Sequence, residues 1–314
     1  MNDFICEIEK AKTIAVLGHI RPDGDCVGST LGFYTYIQKN YPEKTVCVYL
    51  EPFSSAFNFL NGAGEVRHEY DGAKYDLCVA LDCGDTDRFA PFIDCYNSAK
   101  RTVCVDHHVS NGGYGDVCYV KPDACSTSEA LFDLFDEDGI DVKCAECLYM
   151  GIVHDTGVFK HSNTTGKSMT VAGALIDKGA RPAYIIDETF YKKTFVQNKL
   201  LGYAMVNMEL FSQGKVSYTL LTLEDFKRFG AGKLDTDGIV DQLRLTEGCE
   251  VAFFMYQLDE DTYKVSLRSN NIVNVSQIAS NHCGGGHIRA AGFSMKGKPE
   301  DIRKEIVSEI ERQL

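Results

Sequence analysis

The chain has 314 residues, enough for two domains with separate cores. Its 44% hydrophobic and 25% charged content fits a soluble globular protein, and no apolar run reaches membrane-spanning length. A formal net charge of −13, with no lysine- or arginine-rich block, argues against a partner such as long duplex DNA, whose phosphates need a basic face.

Residues 13–18 form a short apolar run that ends in His19 and continues Ile20-Arg21-Pro22-Asp23-Gly24-Asp25. Such runs, bounded by Gly and Asp, read as buried parallel strands, whose carboxyl ends collect the chemistry of open α/β sheets. A helix begins at Cys26, and its small residues Gly28, Ser29 and Gly32 are expected to allow close packing on the sheet. Residues 45–50 are the next strand. Residues 77–81 form another, ending in Asp82, with Asp85 and Asp87 beyond it suited to capping a helix. The run 102–105 ends in Asp106-His107-His108. Ser126 starts a helix, with Glu129 three residues on completing a capping-box pattern. Residues 150–154 lead to Asp155-Thr156-Gly157 at a helix-to-loop corner, and a further helix spans 168–178, stopped by Gly179. The pattern predicts a doubly wound parallel sheet over residues 1–187.

Residues 188–213 carry Leu201, Met205 and Met208 at helical spacing and read as a long linking helix. Beyond them, strands at 216–221, 250–256 and 263–267 interleave with helices near 238–245, 275–281 and 301–314, a smaller α/β domain over 214–314. Arg268 and Ser269 stand at a strand end, where a guanidinium can grip phosphate. Gly284-Gly285-Gly286 followed by His287 lets backbone amides converge on an anion. Arg289 reads equally as a further cation there or as surface.

The 13 cysteines mostly fall inside apolar patterns, as Cys47, Cys78 and Cys104 do, so reduced buried thiols are expected. Cys144 and Cys147 lack a second pair and read as small buried residues of a helix. The start of the chain lacks a basic segment before an apolar one, which points to the cytoplasm and to no membrane partner. His68 and His282 read as structural or surface residues, and His154 as packing beside Asp155.

The aspartates Asp23, Asp25, Asp82 and Asp155, gathered in one crevice, would repel unless neutralised. Two divalent cations would do so, and oxygen-rich ligation with few imidazoles favours Mn²⁺, Mg²⁺ or Co²⁺. A two-metal centre suits in-line hydrolysis of a phosphate ester.

His19-x-x-x-Asp23-x-Asp25, Asp82, Asp106-His107-His108 and Asp155, in that order, resemble the four motifs of the DHH superfamily of phosphoesterases. Gly284-Gly285-Gly286-His287 with Ala290-Ala291-Gly292 resembles the glycine-rich signature of the DHHA1 domain. The resemblance implies a DHH domain joined by a helix to a DHHA1 domain, with the active site in the cleft between them. It assigns His19, Asp23 and Asp82 to one metal, and Asp25, Asp82, His107 and Asp155 to the other, Asp82 bridging. His108 would face the scissile phosphate as donor or acid, with Asp106 orienting the histidines. Arg268, Ser269, Gly284, Gly285, Gly286 and His287 would hold substrate.

Within the superfamily, the length leaves no room for the extra domains of a RecJ-type exonuclease. Arg268-Ser269-Asn270-Asn271 lacks the basic signature of a family II pyrophosphatase. What remains resembles the nano-RNase group, which degrades short oligoribonucleotides of about two to five nucleotides and dephosphorylates 3′-phosphoadenosine 5′-phosphate (pAp). Linear pApA and cyclic di-AMP stand as alternative substrates, and a nucleotide-binding regulator as the non-enzyme alternative. Val158 occupies a position where relatives often carry a basic residue. A homodimer is compatible with this reading.

Overall fold

The computed structural model describes residues 3–314, in two compact units: one up to Lys192 and one spanning Lys193–Leu314. The first contains, in order, α1 (Asp3–Lys10), β1 (Thr13–Leu17), α2 (Gly24–Asn40), β2 (Thr45–Tyr49), β3 (Leu77–Leu81), α3 (Ile93–Ser98), β4 (Thr102–Asp106), β5 (Val117–Val120), α4 (Thr127–Leu134), α5 (Val142–Asp155), α6 (Gly166–Asp177) and α7 (Pro182–Ile186). Its five strands pair entirely in parallel in the order β2-β1-β3-β4-β5. The chain reverses its direction of sheet growth between β1 and β3, so the carboxyl ends of those two strands frame the crevice where such sheets bind ligands.

Alternate residues of each strand enter two different cores. Ile14, Val16, Val79 and Leu81 pack with α1, α2, α4 and α5 on one face, whereas Ala15, Leu17, Cys78 and Ala80 pack with Phe89, Phe92 and Tyr96 on the other. Burial of both faces is why these strands read as continuous apolar runs.

The small residues of α2 turn out to face α5 rather than the sheet. A Cβ on Gly28 would stand 2.6 Å from the Cys147 carbonyl oxygen and 2.8 Å from the Gly151 nitrogen, and one on Gly32 would meet the Leu148 side chain. The fourfold spacing Gly24, Gly28, Gly32 lies along one side of a helix, and that side needs a partner helix at close range. Cys147 lies in this contact, and Cys144 directs its Sγ at the Gly32 carbonyl oxygen, 3.4 Å away. Both are buried, and all 13 cysteines are free thiols.

The second unit holds α8 (Phe195–Val206), β6 (Glu209–Phe211), β7 (Val216–Leu221), α9 (Leu223–Phe229), α10 (Ile239–Arg244), β8 (Val251–Gln257), β9 (Thr262–Ser269), α11 (Val275–Asn281), β10 (Gly285–His287), β11 (Ala290–Lys296) and α12 (Pro299–Glu311). Its sheet runs β10-β11-β9-β8-β7-β6, antiparallel except for β7 against β8. Ile302, Ile306 and Ile310, one turn apart on α12, bury against Phe253, Val265 and Phe293.

The single linking helix expected over 188–213 is not formed. A π-helical turn (Asp187–Tyr191) belongs to the first unit, and α8 starts afresh after Thr194. Thr194 and Gln197 cap that start reciprocally, at 3.1 and 2.9 Å. Leu200 and Ala204 then bury α8 against Leu221, Phe226 and Leu243 of its own unit, and Glu209–Phe211 pairs as an edge strand.

Candidate active site

The loop after β1 places His19, buried at 4% exposure, and Asp23. Asp23 is the N-cap of α2: its Oδ1 accepts the amides of Asp25 and Cys26, each at 3.1 Å, and Oδ2 stays directed at His19 Nε2, 3.5 Å away. Asp25 is fully buried in the first turn of α2. Both its oxygens accept amides from the start of α4, Thr127 at 2.6 Å and Ser128 at 3.1 Å. Those amides are free because a helix leaves its first N–H groups unpaired, and Ser126 caps only the Glu129 amide. Glu129 accepts the Cys125 amide, so the expected capping box is displaced by one residue.

Asp82, the residue after β3, has φ +60° and is 3% exposed. Aspartate tolerates this left-handed conformation better than most residues. Its Oδ2 lies 3.5 Å from His19 Nε2, and its Oδ1 lies 3.6 Å from His107 Nε2 and 3.0 Å from the Thr127 hydroxyl, which donates to it. Asp155, the last residue of α5, reaches His107 Nε2 at 3.1 Å. The Asp155 carbonyl is held by the Asn163 amide group at 3.1 Å. All six residues expected to bind metal therefore meet, with Asp82 between a His19 group and an Asp25–His107–Asp155 group.

The donor set fits two divalent cations. His19 Nδ1 lies 2.9 Å from the Ile20 carbonyl oxygen and His107 Nδ1 3.4 Å from that of Ala124. A proton on each Nδ1 leaves Nε2, the atom facing the carboxylates, with a lone pair for a metal. Burial, reinforced by Asp82 and Asp155, drives the Asp25 carboxyl far above its ordinary range. Burial likewise raises Asp155, with Asp82 adding to the effect. Burial opposes a charge on His107, but its hydrogen bond to the Asp155 carboxylate and the charges of Asp25 and Asp82 lift it to about 10. His19 is raised in the same way: burial opposes its charge, and Asp23 and Asp82 overcome it. Without cations the cluster must hold extra protons to exist. Divalent ions would replace them.

Cys26 was not anticipated here. Its Sγ accepts the His19 amide at 3.2 Å and falls within the His19–Asp82 group. Burial pushes the thiol up to about 11.

His108 is set differently. Its Nδ1 donates to Asp106 Oδ1 at 2.7 Å, and the half-exposed ring keeps Nε2 without a partner among the described residues. The Asp106 bond raises His108 above its ordinary pKa. Asp106 is fully buried; burial resists its charge, but His108 and Asn111 hold it below the ordinary carboxylate range. Asn111 and Thr127 are site residues that sequence reasoning missed. Asn111 stands three residues beyond His108, and that spacing was the available signal. Asp85 caps its turn through the Asp87 and Arg88 amides, as expected. His154 packs between Phe57 and Phe190 at ring distances of 5.2 and 4.4 Å, and its Nε2 is buried without a partner.

In the second unit, Arg268 Nε donates to Asp241 at 3.2 Å and Nη1 to the Leu267 carbonyl at 3.1 Å, which leaves Nη2 open among the described residues. Ser269 is buried. Arg289 spends its guanidinium on the Val273 and Asn271 carbonyls and so clamps the loop after β9. The three glycines are exposed and lie at the edge of the sheet. Gly285–His287 is the edge strand β10, paired with β11, and a Cβ on Gly284 or Gly286 would come within 2.4 Å of the Gly292 or Ala290 carbonyl oxygen. His287 is exposed at the end of that strand. His282 is structural: it stacks on Phe293 and reaches Glu309 at 2.9 Å.

Comparison with known proteins identifies the family of the chain. Residues 13–152 match the model for the DHH family, N-terminal domain, and residues 214–314 that for the DHHA1 domain. The "bifunctional oligoribonuclease and PAP phosphatase NrnA" of Bacillus subtilis (strain 168) is 31% identical over 94% of this chain and 93% of its own. The "probable" protein of the same description from Streptococcus mutans is 30% identical over 96% of each. The crystal structure of an exopolyphosphatase-related protein from Bacteroides fragilis superposes with a TM-score of 0.85 at 25% identity, covering 99% of this chain and 95% of that one. The chain belongs to the DHH family, a DHH domain followed by a DHHA1 domain, and is a hydrolase of phosphoester bonds.

Proposed function

We propose that this chain hydrolyses short oligoribonucleotides of about two to five nucleotides to mononucleotides and removes the 3′-phosphate of pAp. The observation that carries the chemistry is the position of Asp82, whose two oxygens face two separate donor groups. The substrate class is supported by the two relatives described as oligoribonucleases and PAP phosphatases, matched over nearly the full length of each. His19, Asp23 and Asp82 would hold one divalent cation and Asp25, Asp82, His107 and Asp155 the other, with Mn²⁺ the ion best suited to that donor set. When bound, two such ions supply charge neutralisation at the phosphate and acidify water.

The protein's own groups do the rest. Asp25 and Asp23, pinned by backbone amides, cannot swing, so the donor geometry is set before substrate arrives. His108 Nε2 gives its proton to the leaving ribose oxygen as the P–O bond breaks, while the oxygen of one water forms the new P–O bond and loses a proton to solvent, from which His108 is reprotonated. Arg268 Nη2 and exposed His287 bind a part of the substrate remote from the reacting phosphate. The acidic remainder of the chain offers a long strand little attraction, and the free thiols suit a cytoplasmic enzyme.

The test is a panel of pAp, pApA, cyclic di-AMP and RNA of about two to twenty-four nucleotides with Mn²⁺, resolved by product chromatography. Dinucleotides and pAp should be turned over fastest. Arg268→Ala and His287→Ala should lose about tenfold or more in kcat/KM on these, and much less on bis-p-nitrophenyl phosphate. Faster cleavage of the longest RNA, or a preference for cyclic di-AMP, would replace the proposed substrate class.

A further inference from the structure

The side chain of Asn111 has four polar contacts around His108, the longest from its Nδ2 to Cys104 Sγ at 3.5 Å. Its Nδ2 donates to Asp106 Oδ2 at 2.7 Å and lies 3.1 Å from the Cys83 carbonyl oxygen; its Oδ1 accepts the Gly113 amide at 2.8 Å. Its backbone N–H also bonds the His108 carbonyl, at 3.0 Å. One amide therefore ties the segment after Asp82, the end of β4 and the loop carrying His108. The other Asp106 oxygen takes the His108 Nδ1 proton, at 2.7 Å. A carboxylate gripped at one oxygen and donating orientation through the other fixes the plane of the imidazole, and with it the direction of Nε2.

We propose that Asn111 is a positioning residue that holds Asp106 so that His108 presents Nε2 to the leaving oxygen of the phosphoester. This rests on the role proposed above for His108. The proton balance gives it a signature. A ribose oxygen must gain the His108 proton as the P–O bond breaks, whereas p-nitrophenolate departs as a stable anion and needs none. A residue that acts only through His108 therefore matters for ribose leaving groups and little for p-nitrophenol.

The experiment compares the wild type with Asn111→Ala, Asn111→Ser, His108→Ala and the Asn111→Ala/His108→Ala double variant, on pAp and on bis-p-nitrophenyl phosphate. Metal content is measured on each protein. Asn111→Ala should keep the wild-type metal content and KM for pAp, lose about tenfold or more in kcat on pAp, and lose less than about threefold on the aryl ester. Asn111→Ser, which retains a donor, should recover part of the loss. The double variant should be no slower on pAp than His108→Ala alone, because both substitutions remove one effect. Equal losses on both substrates, loss of metal, or additive losses in the double variant, with His108→Ala itself selective, overturn the inference and leave the role of His108 standing. If His108→Ala is equally damaging on both substrates, the acid role of His108 falls and this inference falls with it.

Discussion

Gly151 connects helix packing to the acidic cluster, and Gly151→Ala should damage the site more than the fold. A Cβ at this position of α5 would stand 2.0 Å from Ser128 Oγ and 2.5 Å from Asp25 Oδ1. Ordinary contacts of such an atom begin near 3.4 Å, so the shortfall against the carboxylate is about 1 Å. Ser128 Oγ can rotate away, whereas its Cβ, 2.8 Å from the added atom, moves only with α4. Asp25 cannot rotate away, because the Thr127 and Ser128 amides grip both its oxygens. Overpacking costs about 1–3 kcal/mol, offset by about 1 kcal/mol of helix propensity gained on replacing glycine with alanine. The net loss of roughly 0–2 kcal/mol should lower Tm by a few degrees at most. Displacement of a cluster carboxylate by about 1 Å should instead cost on the order of a hundredfold in kcat/KM. Thermal melts and steady-state kinetics with Mn²⁺ on the same preparation decide the matter. A variant with kcat/KM within about twofold of wild type would show that Asp25 is not held as described. Gly28→Ala is the control: its Cβ meets α5 backbone rather than a site residue, so melting temperature should suffer more than activity.

Asp82→Ala should abolish hydrolysis at any metal concentration, and dialysis against EDTA should silence the wild type until Mn²⁺ is restored; full activity in excess chelator would refute a metal centre here. His107→Ala should bind less metal, whereas His108→Ala should retain metal and lose most of kcat, a contrast read by elemental analysis. His154 gives a pH effect of definite sign. Burial lowers its pKa to about 4, so the unfolded chain takes up a proton that the folded chain refuses as pH falls below the ordinary histidine value near 6.5. Its contribution to stability is complete at neutral pH and is lost as pH falls from about 6.5 toward 4. His154→Phe should therefore flatten the decline of unfolding free energy over that window, in denaturant melts with EDTA, and an unchanged slope would refute the assignment.

The six proposed donors were legible because they stand at or beside the ends of elements that announce themselves. Strands buried on both faces read as apolar runs, and an acid at the end of such a run has no packing reason to be there. Thr127 was not legible, because its contact with Asp25 joins residues 102 apart and its hydroxyl meets Asp82 only once α4 is docked. The direction of the α2 glycines was ambiguous for the same reason: small residues at fourfold spacing indicate a close neighbour without saying whether it is a sheet or a helix. Residues 284–287 misled in another way. Glycine disfavours strands, so a run of three reads as a loop, yet here close approach of β11 excludes a side chain at Gly284 and Gly286. The break near 192–194 was hidden because Thr194 and Gln197 cap a helix start that apolar spacing alone runs straight through.

The way the carboxylates are held explains how a fold can gather four of them. Asp23 and Asp25 each spend hydrogen-bonding capacity on amides at helix N-termini, where partial positive charge favours an anion. Asp82 has the Thr127 hydroxyl and three imidazoles, and Asp155 has His107. Among the described residues, no lysine or arginine is paired with any of the four. A fixed cation beside the cluster would satisfy the charge permanently and compete with a metal ion. Amides, a hydroxyl and imidazoles orient the oxygens while leaving net negative charge behind. That residual charge makes the metal-free cluster retain protons, and it is also what would draw divalent ions in. Orientation comes from neutral donors and affinity from the unneutralised charge, so the site can be rigid without being self-satisfied.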